Sequence, residues 1–390
     1  MWQPFTEQHQ HFRKMVRSFV EKELAPHIDE WEKDELFPNW VFKRAGELGI
    51  HGAHYAEEHG GAGGDYWFSV AKSEEYCRVG GAGVGMGLLV QSDMATPVIA
   101  DVGTTQQVDE FLVPALRGDK IAALGVSEPG AGSDVAGIRT HAKRDGDDYL
   151  ISGQKTFITN GTRADFVTML TKTRPEAGAQ GCSFFLVPTD LPGFTVAKKL
   201  EKIGNKSSDT AELFLEDVRV PKAYLLGEEG QGFMYLMQSF QSERLIAGTT
   251  ALAGARRVLE FSKQYGQDRV AFGKPIMKRE LWRHRFVDMH IQEESARAFA
   301  YKCVDAYNHD KYERDDKTVS METVRLISML KVLVGDVADQ IMDTCLQFHG
   351  GWGYIEDYPI ARAWRDQRLI RIGGGTSETM KYYIAKLMGF

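Results

Sequence analysis

No run of apolar residues approaches the roughly 20 that cross a bilayer, so no membrane-spanning helix is expected. Basic residues are not in excess either: 47 Lys and Arg stand against 54 Asp and Glu, a net charge of -7. General affinity for nucleic acid or an anionic membrane needs basic patches, so this balance argues against both partners. Only four cysteines occur. Cys77, Cys182, Cys303 and Cys345 are scattered without CxxC or Cys/His ligand spacing, which points to buried, reduced thiols and to no metal site. A dinucleotide fingerprint is missing as well. The glycine-rich runs Gly60–Gly64 and Gly80–Gly87 do not satisfy G-x-G-x-x-G and follow no βαβ pattern, which weighs against a Rossmann dehydrogenase. Nor does the N-terminus read as a signal or transit peptide, because Glu7, Glu21 and Glu23 fall inside an ordinary helical pattern. The expected compartment is a bacterial cytoplasm, with the mitochondrial matrix as the alternative.

What is present suits a large folded chain. With 390 residues, 43% hydrophobic and 11% aromatic, two or three compact units can each bury a core. Phe12, Met15, Val16, Phe19 and Val20 form one apolar helical stripe ending near Pro26, and helical patterns continue to about Gly118. Turn signals then appear at Asp145-Gly146, Ser152-Gly153 and Asn160-Gly161, between β-prone runs at Tyr149–Ile151 and Thr156–Thr159. Further strands fit Phe166–Thr171, Ser183–Val187 and Ala211–Leu215. After the Gly227–Gly232 loop the helical period returns. Leu252, Ala255 and Leu259 share one stripe; Ile327, Leu330, Val334, Val337, Ile341, Cys345 and Phe348 share another; Met380, Tyr383, Ile384 and Leu387 make a third. Several long antiparallel helices imply a bundle. Asn308–Lys317 reads as a charged, solvated connection. The expected organisation is an α+β chain: an α-helical unit over 1–118, a β unit over 119–226 and a helical bundle over 227–390.

Five segments carry candidate chemistry. Ser127-Glu128-Pro129-Gly130-Ala131-Gly132-Ser133-Asp134 leaves a predicted strand and bends through two glycines, so its amides can approach a phosphate or a flat ring. Phe157-Ile158-Thr159-Asn160-Gly161 ends a strand with a hydroxyl beside a tight turn. Arg269-Val270-Ala271-Phe272-Gly273-Lys274-Pro275 follows a long helix, and its ordinary reading is a helix stop with Gly273 as cap and Lys274 answering the dipole. The remaining two are Gln347-Phe348-His349-Gly350-Gly351-Trp352-Gly353-Tyr354 and Gly373-Gly374-Gly375-Thr376-Ser377-Glu378.

In this order and spacing the five segments resemble the acyl-CoA dehydrogenase family over essentially the whole chain, including Asp217-Val218-Arg219-Val220-Pro221 and Leu226-Gly227-Glu228-Glu229-Gly230. The resemblance implies a helical N-terminal domain, a β-barrel-like middle domain and a C-terminal four-helix bundle. It also implies FAD as cofactor, acyl-CoA as substrate, an electron-transferring flavoprotein as electron acceptor, a homotetramer, and a place in fatty acid β-oxidation. Residues Leu124, Val126, Ser127, Gly132 and Ser133 are then expected along the flavin, with Ser133 also reaching the acyl-CoA. Phe157, Ile158 and Thr159 flank the ring, Phe157 standing where tryptophan is common. Arg269, Phe272, Gln347, Phe348, Gly350 and Gly351 match groups that hold the pyrophosphate and adenine end, commonly across a subunit interface, and Thr376 and Glu378 complete that site. Met234, Ser242, Arg244, Gly374 and Gly375 are expected against substrate. Glu280 departs from the pattern, replacing a usual glutamine.

Most of the family carries its catalytic glutamate just before a Gly-Thr pair at the last helix, and here that position is Gly374. The long-chain and isovaleryl branches place the glutamate on the helix that opens the bundle, followed by arginine, and this chain has Gln241-Ser242-Glu243-Arg244-Leu245 there. On a helix Glu243 shares its face with Phe240, Ile246 and Ala247, so burial should raise its pKa and its strength as a base. The bland alternative is a solvated glutamate paired with Arg244 or Lys263. The resemblance favours Glu243 as the α-proton acceptor for a long-chain or branched acyl-CoA, with a citronellyl-CoA-type substrate also open. It sets aside a flavin monooxygenase or oxidase on the same fold, which lacks or replaces the glutamate, and a non-catalytic acyl-CoA binder.

Overall fold

A computed structural model of the protein describes residues 4–390. Helix α1 (Glu7–Phe19) opens on a capping box in which the Thr6 hydroxyl accepts from the His9 amide. Its stripe buries Val16 and Phe19, followed by Val20 in the next turn, while Phe12 and Met15 are half-buried. Helices α2 (Tyr66–Tyr76) and α3 (Ala82–Leu89) follow, and short helical turns continue to Leu116.

The middle of the chain forms one eight-stranded sheet from β1 (Ala122–Gly125), β2 (His141–Asp145), β3 (Asp148–Thr159), β4 (Phe166–Lys172), β5 (Cys182–Pro188), β6 (Phe194–Lys199), β7 (Thr210–Pro221) and β8 (Leu225–Leu226). The order is β6-β7-β3-β2-β4-β5-β8, with β1 parallel to β4. One expected turn is corrected here. Ser152-Gly153 does not reverse the chain; it is a bulge inside the continuous strand β3, with Gly153 at φ 150 and Thr140 packed where a side chain would begin. Without a Cβ the strand bends there and keeps going. The strand β7 likewise runs through Asp217–Pro221 rather than ending at Leu215.

Four long or medium helices complete the chain after α4 (Gly232–Asp268): α5 (Glu280–Asn308), α6 (Met321–His349), α7 (Pro359–Gln367) and α8 (Ser377–Leu387). All seven stripe residues of α6 from Ile327 to Phe348 are buried in the bundle core, together with Leu252, Ala255 and Leu259 of α4. Of the α8 stripe only Met380 is buried; Tyr383, Ile384 and Leu387 are partly covered. Two further expectations are revised. The segment after Asn308 continues helically to Glu313, and its Asp310 is buried, accepting from the Ser320 amide and Arg314. Gly273 does not cap α4, whose last amide bond is made by Arg269; Phe272-Gly273 instead form the tip of a two-stranded hairpin, β9 (Val270–Ala271) with β10 (Lys274–Pro275), both at positive φ.

The helical and sheet parts are joined through buried polar contacts. Asp366 on α7 accepts from the Ala82 amide at 2.9 Å and the Asn205 amide at 2.6 Å. Tyr66 donates its hydroxyl to the Ser242 carbonyl at 2.9 Å, tying α2 to α4. Among the described residues no helix is long and apolar enough to cross a membrane, and no cluster of metal-ligating side chains occurs.

Candidate functional site

The expected residues gather in three places. The first is the loop that leaves β1. Glu128 anchors it: its carboxylate accepts from the Arg139 and Thr140 amides at 2.6 and 3.0 Å and from Lys155 at 2.9 Å. Burial alone would push this carboxyl up, but Lys155 and the amides outweigh burial and hold it below the usual range. Lys155 is fully buried in β3, also donates to the Val126 carbonyl, and is pushed down to about 8 by burial despite Glu128. The loop is therefore fixed to the sheet. The Thr156 amide donates to the Ser127 carbonyl at 2.9 Å, bringing the end of β3 alongside.

This fixed frame leaves an open rim. A register shift between Lys155 and Ile158 turns Phe157 out at φ 63, 70% exposed. The glycines Gly130 and Gly132 have open space where side chains would start. Among the described residues, the hydroxyls of Ser127, Ser133 and Thr159 make no hydrogen bond within the chain. Val126 and Ile158 point into cores, so only their backbone can face a ligand. Leu124 packs against the same apolar cluster as Phe233, Met237 and Phe240 of α4.

That shared lining leads to the second place. One turn after Phe240, Glu243 is enclosed by protein on most sides yet still reached by solvent. Burial raises its pKa, partly opposed by Arg244 and Lys331. Its carboxylate makes no ion pair with Arg244 or Lys263 and no hydrogen bond among the described residues. Instead it points at the loop before α8: Glu243 Oε1 lies 3.4 Å from where a side chain on Gly374 would begin. Gly374 has φ +65 and Gly375 φ +100. Arg244, buried, donates from Nε to the Gly374 carbonyl at 3.1 Å and lies over the Phe240 ring at 5.3 Å. The Gly374 amide donates to nothing within the described chain. Met234 is exposed in the first turn of α4. Ser242 is buried, and its hydroxyl donates to the Ser239 carbonyl at 2.8 Å with the Asp93 carbonyl at 3.4 Å.

The third place is a cavity of about 500 Å³ lined by Tyr265, Arg269, Ile276, Phe348, His349, Gly350, Gly351, Trp352 and Ile355. The Arg269 guanidinium makes no hydrogen bond or ion pair among the described residues. Phe348 forms the floor, its ring held in the bundle core against Trp282 and Phe286. Gln347 is exposed, Phe272 is 96% exposed at its hairpin tip, and Gly350 and Gly351 have nothing where side chains would start. Thr376 caps α8, accepting from the Thr379 amide, and the exposed Glu378 carboxyl is held below its usual range by its own amide and the Thr376 hydroxyl. Glu280 is exposed at the start of α5 and touches none of these places.

Two groups were missed from sequence. His349 stacks on Tyr265 at 4.3 Å, and its Nδ1 meets the Cys345 carbonyl at 2.7 Å, which leaves a buried Nε2 without a partner at the cavity wall. It stood inside the quoted motif, so its type was visible though its orientation was not. Lys331 lies on the buried face of α6 beside Gly374. A charged residue within an apolar stripe was the available signal.

Comparisons with known proteins identify the family of this fold. Descriptions of the N-terminal, middle and C-terminal domains of acyl-CoA dehydrogenases match residues 6–119, 123–218 and 230–389. The mitochondrial long-chain specific acyl-CoA dehydrogenase of Sus scrofa is 39% identical over 384 residues, 98% of this chain and 86% of that protein. The crystal structure of an acyl-CoA dehydrogenase from Geobacillus kaustophilus superposes with a TM-score of 0.94 at 38% identity, covering both chains fully. A glutaryl-CoA dehydrogenase from Mycobacterium smegmatis, crystallised with FADH2, gives 0.88 at 29% identity, covering 99% of this chain and 96% of that one. With three domains matched in order along the full fold, the chain belongs to the acyl-CoA dehydrogenase family, oxidoreductases acting on CH–CH bonds.

Proposed function

We propose that the protein oxidises a long-chain or branched acyl-CoA to the trans-2-enoyl-CoA, with Glu243 removing the α-proton. The observation that carries this reading is the unpaired Glu243 carboxylate directed at Gly374, where no side chain intervenes. A carboxylate in a partly desolvated site is a stronger base than one in water, which abstraction from carbon requires. The free Gly374 amide is suited to hold the thioester oxygen as enolate charge develops. Arg244 fixes that loop through the Gly374 carbonyl.

The residues present fit FAD. The open glycines, the unbonded hydroxyls of Ser127 and Thr159 and the outward Phe157 would flank the flavin; Ser133 would also meet acyl-CoA. Arg269, the orphaned His349 Nε2 and the Gly350-Gly351 backbone suit a pyrophosphate and an adenine. Bound FAD supplies the hydride acceptor for the substrate β-carbon. The Arg269 guanidinium at the cavity of the third place, with no hydrogen bond or ion pair among the described residues, is suited to a cofactor phosphate, and in this reading it serves a neighbouring subunit of a homotetramer. Onward transfer to an electron-transferring flavoprotein and a cytoplasmic or matrix location belong to the same reading. So do unit boundaries near 118 and 226, supported by the last helical turn before the large sheet ending at Leu116 and the last strand of that sheet at Leu226.

The test is anaerobic mixing of the FAD-loaded protein with straight and branched acyl-CoAs. Loss of the oxidised flavin absorbance with long or branched chains is expected, with slow reoxidation in air. No bleaching with any acyl-CoA, or rapid air reoxidation, contradicts the reading.

A further inference from the structure

Lys331 stands midway along α6, only 2% exposed, between Leu330 and the next stripe residue Val334. A lysine costs several kcal/mol to bury unless its ammonium finds acceptors, so packing alone does not account for it. Its Nζ donates to the Ile370 carbonyl and, at 3.3 Å, to the Gly375 carbonyl. One acceptor lies just before the Gly373–Gly375 turn and the other ends it. The Lys331 Cε lies 3.7 Å from the point where a Gly374 side chain would begin, and Glu243 Oε1 lies 3.4 Å from that same point. Lysine and glutamate therefore approach the turn together, without forming a direct ion pair among the described residues.

Few other charges face this point. From its own helix Glu243 meets Arg244; from α6 it meets Lys331. Tyr383 of α8 faces Arg244, and Arg371, just before the turn, is held by Asp336 and Asp339 on α6. The turn itself carries three glycines and no charge.

We propose that Lys331 is a positioning residue for the reaction: it clamps the Gly373–Gly375 turn to α6 and sets a positive charge across it from Glu243, favouring the carboxylate form. The proposal rests on Glu243 being the base. Burial pushes Lys331 itself down to about 8, with Arg244 adding to the effect and Glu243 opposing it, so its charge is present below that pH and lost above it.

An infrared pH titration of the holoenzyme tests this by following the protonated carboxyl band of Glu243, identified by its loss in Glu243→Gln. Lys331→Gln keeps a donor without the charge, and Lys331→Arg keeps the charge. In Lys331→Gln the Glu243 midpoint should rise by about 1–3 pH units, the usual effect of removing an opposite charge at this range, and the acid limb of flavin reduction should follow. Lys331→Arg should stay within about half a unit of wild type, far less than that shift. An unmoved midpoint in Lys331→Gln, or an equal shift in Lys331→Arg, overturns the proposal. Should Lys331→Gln yield no holoenzyme, a midpoint more than about one unit above wild type in Lys331→Arg overturns it alone. If Glu243→Gln reduces flavin like wild type, both this proposal and the base assignment fall; if it is inactive while Lys331→Gln leaves the midpoint in place, only the Lys331 role falls.

Discussion

At Gly374 a backbone in the left-handed region and a missing Cβ serve the same end. The turn can bring an amide and open space to within reach of Glu243, and any L side chain there is disfavoured by its φ of +65 and would place its Cβ in contact with the carboxylate, 3.4 Å from Oε1. Gly374→Ala is expected to slow flavin reduction on the order of 100-fold, as a displacement of about 1 Å at a reacting centre does, while FAD content stays unchanged. Rapid mixing of the holoenzyme with acyl-CoA measures it; a rate within about threefold of wild type, far short of that loss, would show the space is not needed. At this scale much was legible. Glu243-Arg244 and the vacant Gly374 could be set beside each other from the resemblance alone. Lys331 could not, because which face of a long helix meets which loop depends on the packing of α4, α6 and the turn before α8. The partner of the Ser242 hydroxyl was hidden for a similar reason: its place next to Glu243 did not show that it donates to the Ser239 carbonyl.

Among the elements, β3 couples structure to the site. Its buried Lys155 holds Glu128 and so the loop that begins at Ser127, and its second bulge turns Phe157 outward. Removing one member of such a pair leaves the other charge buried and unpaired, which typically costs about 3–5 kcal/mol. Lys155→Met should lower hydrogen-exchange protection in β3 and β4 by an opening free energy of that size, and adding Glu128→Gln should recover part of it. A loss under about 1 kcal/mol would mean that the pair does not hold the loop. The strands themselves were mostly readable from alternation and turn dipeptides. Ser152-Gly153 was not, because a glycine that permits a bulge and one that permits a reversal look alike until the partner strand is known; here β7 continues past it. The ordinary alternative for Phe272-Gly273, a helix cap, gives way to a hairpin tip for the same local ambiguity.

Across the whole molecule the three places draw on the sheet and the C-terminal helices: the loop after β1, the α4 glutamate with the turn before α8, and the cavity beyond α4. Asp366, buried on α7, accepts from amides of both the first helical part and the sheet, and so locks the relative placement on which the Glu243 geometry depends. The order of helical, sheet and helical parts followed from hydrophobic period, since each long stripe needs a partner and each alternating run needs a sheet. How those parts meet did not, because the contacts that join them are single polar residues such as Asp366 and Tyr66, which carry no periodic signal.

The proposed reaction depends on one carboxylate, and the most direct measurement is anaerobic stopped-flow bleaching of the Glu243→Gln holoenzyme at saturating acyl-CoA. The amide has nearly the shape of the carboxylate and almost no basicity. FAD content and acyl-CoA binding should match wild type, while the reduction rate falls by about two to four decades or more, the usual loss on removing a general base. Reduction at the wild-type rate, with FAD and acyl-CoA bound, would contradict the assignment of Glu243 as the base.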